Sequence, residues 1–254
     1  MKINLNADMG ESWGPYTIGN DAALLGIVGA ANIACGAHGG DAHVMLDTVR
    51  LARGNRVSIG AHPGYADLHG FGRRAMTLPS DELRGLILTQ IGALIAVGRA
   101  EGHPVTHVKP HGAMNNQACA DRAMADVIAQ AVADVDPGLI LLAPALSELA
   151  AAGRAAGLVV ALEAFADRAY QPDGQLAPRG TPGAVLHDPD QAAAHVLRMV
   201  TGGGLVTTGG DLLPTPIHSI CVHGDGPTAL VIAAAVRDGL AGAGYDLTTL
   251  PKVV

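Results

Sequence analysis

VTHVKPH, residues 105–111, places His107, Lys109 and His111 at alternate positions of a short run that otherwise reads as a strand. Side chains alternate across a strand, so these three ionisable groups share one face. Strands covered on both sides normally read as continuous apolar runs. A charged row on such a strand therefore marks a face that looks into a functional space. The same rule applied to the other candidate strands gives the same result. INLNAD aligns Asn4, Asn6 and Asp8, and NIACGAH aligns Asn32, Ala34, Gly36 and His38, with Cys35 on the opposite side. VSIGAH aligns Ser58, Gly60 and His62, and LEAFAD aligns Glu163, Phe165 and Asp167. SICVHGD aligns Ser219, Cys221, His223 and Asp225.

Around these rows, short apolar runs alternate with longer helical patterns. The spacing predicts strands near 2–8, 30–38, 57–62, 105–111, 139–143, 158–165 and 217–223. Helices are expected near 20–28, 41–53, 79–101, 120–134, 145–156, 189–200 and 227–242, with Asp41 and Ser80 as N-caps. Parallel strands need crossover connections, so repeated βα units mean a parallel sheet. Seven units suit one domain over 1–254, closed or nearly closed into a barrel; an open doubly wound sheet is the alternative. Either way the polar tips meet at the C-terminal ends of the strands, where α/β folds bind ligands. Residues 202–218 have two glycine-rich turns and read as a hairpin insertion. PGYADLHGFGRRAMTL, 63–78, is longer than a minimal connection and reads as a lid or binding loop.

Composition narrows the function. Formal net charge is −7 with dispersed Lys and Arg, which excludes steering to nucleic acid or an anionic membrane. The N-terminus lacks the apolar run of a signal peptide, and no membrane span is expected. Cys35, Cys119 and Cys221 form no CxxC pair and fit reduced thiols in a cytoplasm. The 34 glycines, about twice the usual share, cluster at the ends of apolar runs, where tight turns need them. No GxxxxGK[ST], GxGxxG or GxSxG motif is present. An Asp and two His from different strands, such as Asp8, His38 and His62, suit a divalent ion, whereas a nearby Lys109 disfavours one; without HExxH the metal question stays open.

A lone histidine at a strand end is commonly structural, and a Lys–Glu pair can be a satisfied buried ion pair. Four tips ending in His and three carrying Asp are different, because desolvating so many ionisable groups together is costly. The blocks NADMGES (6–12), NIACGAHGGD (32–41), GAHPGYADLHGFGRR (60–74), VKPHGAMNN (108–116), EAFADRAY (163–170), PRG (178–180) and ICVHGD (220–225) resemble the LamB/YcsF family. The resemblance implies a distorted seven-stranded β/α barrel of the glycoside hydrolase/deacetylase type. It implies membership of a bacterial 5-oxoprolinase, the PxpA component working with PxpB and PxpC. The reaction so implied opens 5-oxo-L-proline to L-glutamate with hydrolysis of ATP to ADP and phosphate.

ATP is expected as its Mg²⁺ complex, and with no nucleotide motif in the sequence its binding place is open. No nucleic-acid or membrane partner is expected, and a homo-oligomer is open.

The chain departs from the family pattern at Ala37, where an aromatic is common, and at Gly39, where Ala is common. Met114 and Asn115 stand where a Leu–Tyr pair is often found, which opens the pocket wall. On this reading Lys109 stabilises charge on the carbonyl or phosphoryl oxygen. Asp8 is the first choice as base for water, with Glu163 or Asp167 second. His38, His62, His111 and His223 position or relay protons, and Asp225 ends the last polar row. Arg73 and Arg74 clamp a carboxylate or phosphate, Arg168 steadies Asp167, and Asn6, Asn32 and Asn115 contact substrate. A metal-dependent amide or carbohydrate deacetylase and a non-catalytic lactam-binding scaffold are the competing readings.

Overall fold

The computed structural model describes residues 1–178, 180–222 and 228–254. Its strands are β1 (Lys2–Met9), β2 (Ala30–Ala34), β3 (Ser58–His62), β4 (Val105–Val108), β5 (Ile140–Pro144), β6 (Val160–Phe165), the hairpin β7 (Gly204–Val206) and β8 (Leu212–Pro214), and β9 (Ser219–Cys221). β1 to β6 pair in sequence order, all parallel, and β9 pairs with both β6 and β1. That double pairing closes a seven-stranded barrel, so the open-sheet alternative is excluded. A last short strand, β10 (Asp246–Leu247), adds to the start of β1 outside the ring.

The surrounding helices are α1 (Asp21–Leu24), α2 (Ala42–Asn55), α3 (Ser80–Ala100), α4 (Gly112–Ala120), α5 (Arg122–Val135), α6 (Glu148–Ala155), α7 (Pro189–Gly202) and α8 (Ala229–Gly242). Asp41 caps α2 by accepting from the N–H groups of His43 and Val44, both at 2.9 Å. The expected cap at Ser80 fails, because Pro79 holds the N-cap position and Ser80 is already helical. The helix expected over 20–28 shrinks to four residues. α4 has no counterpart among the expected helices, since GAMNNQACA carries no apolar stripe at helical spacing. α3 is long and apolar enough to cross a membrane, but Leu83, Ile87, Ile91 and Leu94 are buried on the barrel side.

The apolar core lies between barrel and helices. Ile3, Leu5, Ala7 and Met9 on the outward face of β1 join Ile33, Val49, Ile59, Ile87 and Ile91 there. Each buried Leu or Ile contributes about 1.5–3 kcal/mol. The barrel interior is built differently. β/α-barrel interiors are usually filled by branched apolar side chains, whereas this one carries a hydrogen-bonded polar ladder. Asn4 donates to the Thr248 carbonyl at 2.7 Å and accepts from Ser219 Oγ at 2.7 Å. Ser219 accepts from Asn6 at 2.8 Å, and Asn6 accepts from Asn32 at 2.8 Å. Asn32 Oδ1 lies 3.0 Å from His107 Nε2, which donates to it. His107 Nδ1 in turn is 2.9 Å from Thr106 Oγ1.

The His107 ring has room because its neighbour in register is Gly60. A Cβ at Gly60 would overlap the imidazole itself. Gly60→Ala is therefore expected to destabilise the protein by about 1–3 kcal/mol through overpacking, read as a lowered denaturation midpoint. An unchanged midpoint would show that His107 can move aside.

Burial, and then the charges of Lys109 and His62, push the His107 pKa down to about 3. The unfolded chain titrates its histidines near ~6.5. His107 thus stays neutral in the fold, and the stability it contributes is complete above that unfolded value. It is lost as pH falls from there towards 3. Thermal unfolding followed from pH 7 to pH 4 (about the range where this protonation acts) should show His107→Asn losing less stability than the wild type. Parallel decline would remove His107 from the acid response.

Candidate active site

Above the ladder, at the C-terminal ends of the strands, a cavity of about 410 Å³ opens between the barrel and the segment after β6. Asp8 and Lys109 form its floor with His62, His111 and Phe165, while Arg73, Asn115, Arg168, Tyr170 and Gln175 line its sides. Lys109 is buried, with Nζ 3.0 Å from Asp8 Oδ1, 3.0 Å from Glu163 Oε1 and 3.2 Å from Asn6 Oδ1. Cys221 Sγ accepts a fourth contact at 3.1 Å. Burial opposes the ammonium charge, but Asp8, Cys221 and Glu163 together raise the Lys109 pKa well above its ordinary value. Burial likewise works to raise Asp8, yet His62 and Lys109 hold its carboxyl well below the usual range. The pair is ionised as a unit.

His62 stands beside it, Nε2 3.3 Å from Asp8 Oδ2 and 3.0 Å from His111 Nδ1. His111 and His38 stack in parallel, ring centroids 3.6 Å apart, and His62 meets both edge-on. Burial first, then His62, lowers His111 to about 3; burial and the neighbouring His111 and His62 also lower His38 well below its ordinary value. His38 does not arrive by strand alternation. β2 stops at Ala34 rather than running to 38, and the loop beyond it carries the imidazole to the cluster. Cys35 lies in the apolar core, as its opposite parity implies, and burial raises its thiol to about 12.

Glu11 is the residue that alternation misses. Parity along β1 ends at Gly10, whose φ of +67° lies in the left-handed region that glycine tolerates. That turn brings Glu11 round to His38 Nε2 at 3.2 Å and His111 Nδ1 at 3.5 Å. Tyr170 and Gln175 also escape the sequence pattern, because they belong to the irregular segment after β6. Tyr170 Oη accepts the Phe165 N–H at 2.8 Å and so ties that segment to the strand end.

Arg73 lines the cavity with its guanidinium 4.9 Å from the Phe71 ring centroid. Arg74 points away and pairs with Asp67, so the two arginines do not form one clamp. Asn6 and Asn32 are fully buried in the ladder below the cavity rather than lining it. Arg168 donates to the carbonyls of Ala177 (2.6 Å) and Ala184 (3.4 Å), bracing the segment it belongs to. Asp167 is not among the cavity-lining residues, and its main-chain oxygen accepts the Leu186 N–H at 2.8 Å. His223 and Asp225 lie outside the described residues. Loop 63–78 is pinned rather than free: Tyr65 Oη reaches Gln117 at 2.8 Å, and Gln90 brackets Gly64 at 2.8 and 3.0 Å.

The LamB/YcsF family pattern matches residues 3–254. The chain belongs to the LamB/YcsF family. A relative from Azoarcus sp. (strain BH72), named as the A subunit of 5-oxoprolinase, is 53% identical over 253 residues, covering 100% of this chain and 99% of the relative. The protein of the same name from Methylococcus capsulatus is 51% identical, covering 98% and 95%. The crystal structure of a lactam utilization protein from Thermus thermophilus superposes with a TM-score of 0.93 at 46% identity, covering 98% of this chain and 100% of the other. A LamB/YcsF chain thus carries these groups on a barrel frame shared with that lactam utilization protein.

Removing Lys109 strands the carboxylates of Asp8 and Glu163 without their cation. Lys109→Met is expected to cost about 3–5 kcal/mol of stability, and adding Glu163→Gln should restore part of it. Chemical denaturation of the single and double variants measures the coupling. Additive losses would mean that Glu163 does not depend on the Lys109 charge.

Proposed function

We propose that this chain is the A subunit of a 5-oxoprolinase, opening 5-oxo-L-proline to L-glutamate with ATP hydrolysed to ADP and phosphate. It would act with two partner subunits of the PxpB and PxpC type, in a reducing cytoplasm that suits three free buried cysteines. One observation carries the reading. Asn115 lines the cavity, and its buried Oδ1 has no hydrogen-bond partner among the described residues. An unmatched buried acceptor costs about 1–3 kcal/mol, and a lactam N–H admitted beside Asn115 is a donor that relieves it. The names of the relatives support the same substrate class.

A five-membered lactam has no good leaving group. Phosphorylation of its carbonyl oxygen by ATP makes the carbon attackable by water, which accounts for the coupling. Asp8, kept ionised by Lys109, then accepts the proton of the attacking water. The Lys109 charge stabilises the carbonyl and phosphoryl oxygens through space, since its N–H groups are already directed at Asp8, Asn6 and Cys221. Cleavage of the C–N bond passes that proton from Asp8, beside His62, to the leaving nitrogen and gives a γ-glutamyl phosphate. A second water then displaces its phosphate to give L-glutamate. Arg73 meets the substrate carboxylate or the phosphate.

The test is a 5-oxoproline-dependent ATPase assay of the reconstituted complex. Turnover is expected only with all three subunits, and Asp8→Asn should lower it by about 10²–10⁴-fold. Full turnover by the partners alone, or by the Asp8→Asn complex, overturns the assignment. The histidine cluster favours metal-assisted amide hydrolysis as a second reading. That reading requires ATP-free, chelator-sensitive turnover.

A further inference from the structure

Two of the clustered histidines are oriented as metal ligands are. His62 Nδ1 lies 2.6 Å from the Lys109 carbonyl, and His111 Nε2 lies 2.8 Å from the Phe71 carbonyl. A carbonyl only accepts, so each of these nitrogens carries the proton. The opposite nitrogen of the neutral His111 ring, Nδ1, is therefore bare, and Nε2 is the one His62 nitrogen left to take a proton or an ion. These two nitrogens face each other at 3.0 Å, and His62 Nε2 also stands 3.3 Å from Asp8 Oδ2. Glu11 Oε1 is 3.5 Å from His111 Nδ1, and the candidate ligand atoms of Glu11, His38, His62 and His111 all lie within 4.8 Å of one another. The Glu11 and Asp8 carboxylates and the bare His111 nitrogen gather round His62 Nε2, so a cation belongs among them, either a metal ion or a proton on that nitrogen. Backbone carbonyls holding the remote N–H of each ring are the usual support of histidine ligands.

We propose that Glu11, His62 and His111 form a site for one divalent transition-metal ion of the zinc type, open towards the cavity. Zinc takes imidazole nitrogen and carboxylate oxygen at about 2.0–2.2 Å, which sets ligand-to-ligand edges of about 3.3–3.5 Å in a tetrahedron. The edges of 3.0 and 3.5 Å seen here lie close to this, and the third, from Glu11 to His62, lies within 4.8 Å and must shorten on binding. His62 and His111 line the cavity, so the fourth position faces it. Asp8 remains with Lys109, which keeps the ammonium charge compensated.

His38 is not a ligand in this arrangement. Its ring lies parallel to His111 within 1°, so an ion in the plane of His111 falls outside the plane of His38. Its Nδ1 is buried without a partner among the described residues, and its Nε2 sits 3.2 Å from Glu11. His38 therefore positions the Glu11 carboxylate by donating Nε2–H to it. The site does not depend on the lactam reading, because it is defined by protein groups alone.

The experiment uses the tag-free full chain after chelator treatment. Calorimetry with Zn²⁺ is expected to give one ion per chain. The Co²⁺-loaded protein should show visible d–d absorption and two hyperfine-shifted, exchangeable ring N–H protons, from His62 and His111. Glu11→Gln and His111→Ala should each lose the site, whereas His38→Gln should keep one ion per chain with affinity lower by about 10–100-fold. Absence of stoichiometric uptake overturns the proposal and means that a second proton on His62 fills the gap. Uptake that survives His111→Ala, or a third shifted N–H proton, overturns the ligand set. The wild-type Co²⁺ spectrum reads the ligands directly, so the proposal stands or falls even where a variant does not fold.

Discussion

A lysine ammonium buried at the centre of a barrel is the constraint on which the rest of the structure depends. Lys109 is 2% exposed, and a charge at that depth persists only if its partners are fixed around it. Asp8 and Glu163 come from β1 and β6, on either side of the closing strand, and Asn6 and Cys221 complete the shell. None of these groups can drift without leaving a buried charge uncompensated. The closure of β9 between β6 and β1 brings these groups within reach of one side chain.

The ladder beneath follows from the same demand. An apolar barrel interior would surround the Lys109–Asp8 pair with a medium that penalises both charges. Asn4, Asn6, Asn32, Ser219 and His107 supply oriented dipoles instead, and each has a partner within 3.0 Å. Polar packing of this kind has strict volume requirements, which Gly60 meets by giving its space to the His107 ring. The apolar burial that stabilises the fold is left to the layer between strands and helices.

Much of this arrangement is legible because extended strands repeat every two residues. Alternation places Asn6, Asp8, Asn32, His62, His107, Lys109 and Glu163 on the inward face from pattern alone, and the register between neighbouring strands agrees. The rule stops where the backbone leaves the strand. Gly10 turns with a positive φ and brings Glu11 into the cluster, out of parity, and β2 ends four residues before His38. The distinction between Arg73 and Arg74 is not legible either, because a loop has no period. It rests on Asp67, seven residues earlier, capturing Arg74.

The same limit explains why floor and walls of the cavity differ in kind. The floor comes from strand residues and from Lys109 and His111 just beyond β4, whose N–H groups continue the ladder onto the Ala61 and Pro63 carbonyls, so their positions are tied to the hydrogen-bond register of the barrel. The walls come from loop 63–78, α4 and the segment after β6, which is held by side-chain anchors such as Tyr170 Oη on Phe165 N–H and Arg168 on two carbonyls, and by local backbone bonds such as Ala177 N–H on the Ala169 carbonyl. A register cannot change one residue at a time, because a slip moves every side chain to the other face. An anchored segment can change side chains without disturbing the strands. Ionisable groups on the rigid floor and side chains such as Asn115 on the walls therefore let one barrel keep its charge constellation while the shape of its pocket varies.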